Sequence, residues 1–160
     1  MTVTSGSGPA QAGGSSEHSL RVDQVTGGAD TSVIGMSDIT SAALRSALQD
    51  SLRNLGYLAA DDAMARYVVS ADLVELDRPV VALDPVVLFV PVDLSVTVRI
   101  HYMVRPSSGG APIFDEVVAT TGTATSNDAL TPAGRVRKAN EAGVRLNFAE
   151  FLKRTGPKLH

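Results

Sequence analysis

The sequence predicts an α+β two-layer sandwich, with two helices on one face of a four-stranded, mostly antiparallel sheet. Three observations predict this fold class. Residues 92–104 alternate apolar and polar side chains with the period of a strand. Residues 37–56 and 131–154 carry leucines and alanines at helical spacing. The order of elements, β-α-β-β-β-α, suits helices gathered on one face of a sheet.

Residues 92–104 form the best-defined strand in the sequence. Every even position is apolar: Val92, Leu94, Val96, Val98, Ile100, Tyr102 and Val104. Every odd position except Met103 is polar. Successive side chains of a strand point to opposite faces, so this strand should bury one face and leave the other in water. A one-residue slip would expose all seven apolar side chains, so the pattern specifies the register.

We expect three regions along the chain: a flexible tail or tether at residues 1–17, a single domain at 18–156 and a frayed C-terminus at 157–160. The first 16 residues are mainly Gly, Ser, Thr, Ala and Pro, which bury too little apolar surface to offset the entropy of ordering. The domain begins with a short, weakly alternating strand at residues 19–26.

The first helix is predicted to begin after Ser37 or Asp38, since either side chain can cap a helix N-terminus, and to end at Gly56. The second strand follows at residues 66–76. The leucines of the helix fall on one stripe with two alanines beside it: Leu44, Leu48, Leu52 and Leu55, then Ala43 and Ala47.

The fourth strand is predicted at residues 113–125, with a bulge at Gly122. Thr131 should cap the last helix and Pro132 should occupy its first position, with the helix running to about residue 154. The predicted inner stripe of this helix is Val136, Ala139, Ala142 or Gly143, Leu146, Ala149 and Leu152, with Phe148 and Phe151 on its flank.

The segment at residues 79–91, PVVALDPVVLFVP, is unusually apolar for a connection between strands. Its prolines cannot donate to a sheet ladder, so it should form a hairpin crown or short edge pieces. Either it folds over the core, or it is an exposed patch that binds a protein, a lipid or a second copy of the chain. The candidate partner-binding residues are Val86, Val87, Leu88, Phe89 and Val90.

The composition excludes several classes of chemistry. The chain has no cysteine, which excludes disulfides, zinc thiolates and a Cys nucleophile. Its three histidines are scattered, and no phosphate-binding motif occurs, so we predict no metal, no cofactor and no catalytic residue. Lysine and arginine form no basic block, which argues against nucleic acid as a partner. No run of 18 apolar residues occurs, so we expect no membrane-spanning segment.

Two charged groups of residues leave alternatives open. The carboxylates Asp72, Asp77 and Asp84, with Glu75 between them, allow a carboxylate-based enzyme, although ordinary solvation of a sheet edge is the explanation we favour. The last helix has a basic side, formed by Arg135, Arg137, Lys138 and Arg145. We expect it to be a solvated face with pairs such as Glu141–Arg145. A surface for an anionic lipid or partner is the alternative.

Four stretches occur in an order that resembles a known family: ITSAALRSALQDSLRNLGY, YVVSADLVELDRP, DLSVTVRIHYMV and RKANEAGVRLNFAEFLKRT. Together they resemble small bacterial cell-envelope lipoproteins, namely the YajG-like lipoproteins and, more distantly, the LptE-like lipoproteins of LPS assembly. The resemblance covers roughly residues 19–155 and includes the run Ala-x-Glu-Ala-x-x-Arg-x-Asn-Phe at residues 139–148. It implies a lipid-anchored periplasmic domain without catalytic residues.

The resulting functional prediction is a non-enzymatic envelope module that binds a protein or lipid partner, and the assembly or maintenance of the outer membrane is the role we expect for it. Residues 1–16 lack a signal peptide, and the chain has no cysteine to carry a lipid. A periplasmic, outer-membrane-anchored location therefore requires a leader and a lipidated cysteine that precede this sequence. If Met1 is the true start, a cytoplasmic, self-associating domain is the alternative.

Overall fold

The computed structural model describes residues 19–27, 39–77 and 93–159 of the chain. The main elements in these ranges are β1 (Leu20–Thr26), α1 (Ser41–Asn54), β2 (Tyr67–Asp77), β3 (Leu94–Pro106), β4 (Phe114–Ala124) and α2 (Pro132–Thr155). The sheet order is β1-β2-β3-β4; β1 is parallel to β2, and the other neighbours are antiparallel. The predicted α+β class is confirmed.

The ends of both helices follow from local capping. The hydroxyl of Thr40 accepts a hydrogen bond from the Ala43 N–H and caps α1, whereas the predicted caps at residues 37 and 38 lie outside the described residues. Gly56 follows α1 with φ +76°, the left-handed conformation that favours glycine after a helix. Thr131 caps α2 through the Gly134 N–H, as the sequence predicts.

A single apolar core lies between the sheet and the two helices. The inner face of β3 is buried along its length: Leu94, Val96, Val98, Ile100, Tyr102 and Val104. The alternation of the sequence is thus confirmed, except at position 92, which lies outside the described residues. From α1 the core receives Leu44, Leu48 and Leu52, and from α2 it receives Phe148, Phe151 and Leu152.

Gly122 does not mark a bulge, and the prediction of one there is wrong. Its pairing with Val96 belongs to an unbroken β3–β4 register. The glycine is needed because α2 crosses β4 at this point. A Cβ on Gly122 would lie 2.1 Å from the Ala139 carbonyl oxygen and 2.2 Å from the Gly143 nitrogen. Two glycines therefore let the backbone of α2 rest directly on the sheet.

The predicted inner stripe of α2 is correct at some positions and wrong at others. Val136, Ala139 and Leu152 are buried, but Leu146 is 52% exposed and Ala149 is also exposed. Of the predicted alternatives Ala142 and Gly143, Gly143 is the buried one. The other buried positions of the helix include Asn140, Val144 and Asn147, and the predicted flank of Phe148 and Phe151. The close approach at Gly143 and the buried polar side chain of Asn147 rotate the helix away from its purely apolar stripe.

The residues after α2 pack against the domain, although the sequence predicts a frayed end. Gly156–Lys158 form a short 3-10 turn, and Leu159 is buried in the core. The Lys158 ammonium lies 4.8 Å from the centre of the Phe114 ring and 3.6 Å from Glu116. These contacts anchor the end of the chain beside β4.

Candidate functional site

The two helices lie side by side on the sheet and leave a groove between them. α1 and the residue before it contribute Ile39, Ala43, Leu44, Ala47 and Ser51, and α2 contributes Arg137, Asn140, Glu141, Val144, Arg145 and Phe148. The groove encloses about 380 Å³. Its floor is apolar because both helices turn their core-facing residues toward it, whereas its charged groups lie along the α2 side. Such a combination is typical of sites for small amphipathic molecules.

The charges on the α2 side of the groove are unequally compensated. Arg137 Nε donates to Glu141 at 3.0 Å, and Lys138 Nζ lies 3.4 Å from the same carboxylate. The hydrogen bond from Arg137 lowers the pKa of Glu141 below its ordinary value, so the carboxylate is ionised at neutral pH. The predicted Glu141–Arg145 pair is not formed, since Glu141 is directed toward the preceding turn of the helix. Within the described part of the chain, no carboxylate pairs with Arg145.

A buried polar network holds α2 in its rotation. Asn147 is fully buried, and its side-chain amide donates to the carbonyls of Val98 and Val118 at 3.2 and 2.8 Å and to the Thr120 hydroxyl at 3.1 Å. Its Oδ1 accepts from the Tyr102 hydroxyl at 2.8 Å. Burial raises the pKa of Tyr102 well above its ordinary value, so this hydroxyl keeps its proton.

The apolar pattern of the sequence does not predict this network. The available signal was an asparagine between two large apolar residues, Leu146 and Phe148, of the predicted last helix. The groove was missed as well, because the spacing of side chains on two separate helices does not reveal how far apart the helices lie.

The other face of the sheet is open and polar, as the alternation in β3 predicts. Its side chains form cross-strand pairs: Arg99 with Glu75, His101 with Asp115 at 2.5 Å, and Thr97 with Thr121 at 3.2 Å. His101 is thus a paired surface residue. Pairs on an exposed sheet surface are worth a few tenths of a kcal/mol to about 1 kcal/mol each.

The candidate catalytic carboxylates that the structure describes, on β2, lie on this open face, and Asp72 and Glu75 are held by different partners. Asp72 accepts a hydrogen bond from the Thr26 hydroxyl at 2.6 Å, and Glu75 pairs with Arg99. Only Asp72 of the group lines the shallow depression of about 180 Å³ there. Asp77 is exposed at the end of β2, and Asp84 lies outside the described residues.

The predicted partner-binding residues Val86, Val87, Leu88, Phe89 and Val90 also lie outside the described residues, so that prediction stays a prediction. No group of three His, Asp or Glu side chains in the described ranges could hold a metal ion. Neither α1 nor α2 is long and apolar enough to cross a bilayer.

No family model matches the sequence, and no curated protein matches it either. Several solved structures are similar. Protein XCC0632 of Xanthomonas campestris, assigned to the family DUF330, aligns with a TM-score of 0.57 and 10% identity over 89% of this chain and 85% of that one. PelC of Paraburkholderia phytofirmans, a dodecamer, aligns with a TM-score of 0.50 and 22% identity over 96% of this chain and 95% of that one.

A candidate lipoprotein of Caulobacter crescentus aligns with a TM-score of 0.46 and 14% identity over 86% of each chain. The structural neighbours therefore include a DUF330 protein and a candidate lipoprotein. At 10 to 22% identity, the likeness to the first two structures shows the fold alone. No specific function or partner follows from it.

Proposed function

We propose that this chain is a non-enzymatic binding module of the bacterial cell envelope, and that the groove between α1 and α2 holds an amphipathic anion. The ligand would carry an acyl chain and a carboxylate or phosphate head group. The observation that carries this proposal is an apolar groove of about 380 Å³ with an arginine on its polar side, Arg145, that pairs with no carboxylate of the described residues.

The groove provides separate places for the two parts of such a ligand. Buried side chains from both helices, including Leu44, Val144 and Phe148, form an apolar floor against which an acyl chain can exclude water. Arg145 stands beside this floor and can donate two parallel hydrogen bonds to a carboxylate or phosphate. Because Glu141 is already engaged by Arg137 and Lys138, it does not neutralise Arg145.

The envelope setting rests on the sequence resemblance to YajG-like and LptE-like lipoproteins. In the full-length form it would place the module in the periplasm, tethered to the outer membrane through an N-terminal lipid. A carboxylate-based enzyme is the rival prediction. The described carboxylates that it would use lie apart on an exposed face and are held by Thr26 and Arg99, so the geometry favours a binding module.

The test is a calorimetric titration with dodecanoate and, for comparison, with the uncharged alcohol of the same chain length. We expect dodecanoate to bind more tightly than the alcohol. Arg145→Ala should weaken dodecanoate binding about tenfold or more, the loss expected for a charge-assisted hydrogen bond, and should leave binding of the alcohol unchanged. Lys153→Ala is the control, since this exposed cation lies on α2 away from the groove.

A second pair of variants tests the place of binding. Ala47→Leu puts a larger side chain into the groove and should abolish binding, whereas Ala42→Leu makes the same change at an exposed position of α1 outside it. Titration of vesicles with and without an anionic phospholipid distinguishes a membrane lipid from a free fatty acid. The proposal is wrong if wild-type protein binds none of these probes, or if Arg145→Ala and Ala47→Leu bind dodecanoate as wild type does.

A further inference from the structure

The outer edge of β4 is a long strand edge with no partner among the described strands. β4 stands last in the sheet order, and within the described ranges it pairs only with β3. It has 11 residues, from Phe114 to Ala124, and its register is unbroken. An unpaired edge presents a row of N–H and C=O groups to which another strand can add.

Natural proteins usually protect such an edge with charges, proline or a bulge. The opposite edge, β1, follows this rule: it has only 7 residues, a register shift between Val22 and Val25, and the charged residues Arg21 and Asp23. β4 has acidic residues only near its start, at Asp115 and Glu116, and residues 117–124 contain no charged residue and no proline. The β4 edge is therefore suited to pairing.

Apolar side chains flank this edge on both faces of the sheet. On the open face, Val117 is 49% exposed. On the helix face, Leu146 is 52% exposed. Successive helical residues are rotated by about 100°, so Leu146 and Phe148 point to opposite sides of Asn147. Phe148 lines the groove toward α1, and Leu146 therefore points the other way, toward the β4 side of the sheet.

We propose that β4 pairs antiparallel with β4 of a second copy of this chain, which gives a twofold dimer with a continuous eight-stranded sheet. A twofold axis at Ala119 pairs every residue of β4 with a residue of the second copy, so that Phe114 of each copy lies opposite Ala124 of the other. This register sets Asp115 opposite Thr123 and Glu116 opposite Gly122, so like charges do not face each other across the interface.

The position of α2 allows the two copies to meet without a clash. The Asn147 amide reaches the carbonyl of Val98 on β3 and that of Val118 on β4, so at this level, beside Ala119, α2 lies above the space between these strands. One turn earlier, at Gly122, it lies over β4 itself. With strands about 4.8 Å apart, the axis of α2 lies about 4.8 Å from the twofold axis, and the two helices lie about 9.6 Å apart. Packed helices are separated by about 8–10 Å. Leu146 would fill the contact between them.

A second copy of the chain fits both the β4 edge and the exposed Leu146 beside it. It presents a strand of the same length, an uncharged stretch at the same position and a helix flank at the same height above the sheet. A foreign strand would pair with β4 but would leave Leu146 uncovered. This dimer does not depend on the ligand proposed for the groove, because the two surfaces lie on opposite sides of α2.

The first test is sedimentation velocity of the full chain over a concentration series. Wild type should be a dimer. The double variant Val117→Lys/Leu146→Lys should dissociate, with a dissociation constant raised at least about 30-fold, the effect of losing one interface hot spot. Val74→Lys is the matched control, because Val74 is a 56% exposed valine on the inner strand β2. A monomeric wild type, or a double variant that associates like wild type, would overturn the proposal.

The second test locates the twofold axis. Because the chain has no cysteine, a single introduced cysteine can cross-link only to another copy. Ala119→Cys should form a disulfide-linked dimer on mild oxidation, since the two Ala119 side chains face each other across the axis. Val74→Cys should stay monomeric under denaturing, non-reducing conditions. Equal cross-linking of the two variants would show that association does not occur through the β4 edge.

Discussion

Replacement of Asn147 by alanine is expected to destabilise the protein far more than a typical polar-to-alanine change. The side chain is fully buried, both of its N–H groups are used, and its Oδ1 accepts the Tyr102 hydroxyl. The substitution removes these bonds and leaves the hydroxyl of Tyr102, also fully buried, without its partner.

The size of the effect follows from these contacts. Hydrogen bonding by the two N–H groups and by Oδ1, at about 1 kcal/mol for each of these three groups, gives about 3 kcal/mol, and the unsatisfied Tyr102 hydroxyl adds about 1–2 kcal/mol. Alanine has a higher helix propensity than asparagine, and this difference stabilises the variant by about 0.6 kcal/mol. The net loss in unfolding free energy is then about 4 kcal/mol. For a domain of this size it corresponds to a decrease in Tm of about 10 °C.

Urea unfolding followed by circular dichroism measures this loss. Asn54→Ala is the control, because Asn54 is an exposed helical asparagine and should change stability by less than about 0.5 kcal/mol. Tyr102→Phe keeps the ring that stacks on Phe151 and removes only the hydroxyl, so a double-mutant cycle with Asn147→Ala should show a coupling of about 1 kcal/mol or more. A loss below about 1 kcal/mol for Asn147→Ala would refute the claim that the network holds α2.

Three further changes test other parts of the fold. Gly122→Ala should cost about 3 kcal/mol or more in unfolding free energy, because its Cβ would lie 2.1 and 2.2 Å from backbone atoms of α2. Gly143→Ala should cost less, because its Cβ would lie 2.7 Å from a methyl group of Val98 and no closer than 3.3 Å to the backbone of Gly122. Thr131→Ala should cost about 1 kcal/mol by removing the cap of α2, and Thr131→Ser should restore most of it. The Thr125 N–H and hydroxyl lower the pKa of Asp128, so Asp128 stabilises the fold above its ordinary pKa of 3.8, and this contribution is lost as pH falls through the lower folded value.

The midpoints of urea unfolding measure the stability effects of all three changes. Equal losses for the two glycine variants would contradict the close approach of α2 to β4. Unchanged stability of Thr131→Ala would show that the cap is dispensable. For Asp128→Asn, the difference from wild type should be constant at neutral pH and should shrink as pH falls below about 4. A difference that grows toward acid would contradict the direction of the pKa shift.

The strands could be predicted from the sequence because each depends on a local pattern. Alternation in β3 fixes which side chains face the core, and a slip would expose all of them at once. The N-cap of α2 at Thr131 and the glycine that follows α1, Gly56, could be predicted equally well, since a cap depends only on the residues next to it. The parallel pairing of β1 with β2 could not be predicted from a local pattern, because it depends on how α1 connects the two strands.

The rotation of α2 could not be predicted from periodicity alone. An apolar stripe through Leu146 and Ala149 is as regular as the one that is buried, and hydrophobicity does not choose between them. The choice is made by Gly122 and Gly143, which let the backbones touch, and by Asn147, whose amide reaches the sheet carbonyls. All three contacts are long-range, and none of these residues has an apolar side chain to count.

The same rotation connects the two proposed surfaces. Asn147 points at the sheet, which turns Phe148 into the groove and Leu146 toward the β4 edge. If α2 turned to bury Leu146, as the stripe alone suggests, Phe148 would leave the floor of the groove and the flank of β4 would lose its apolar side chain. A buried asparagine costs hydrophobic burial at one position of the core. Here it also determines which apolar side chains remain on the surface, so both the ligand groove and the dimer edge depend on its hydrogen bonds.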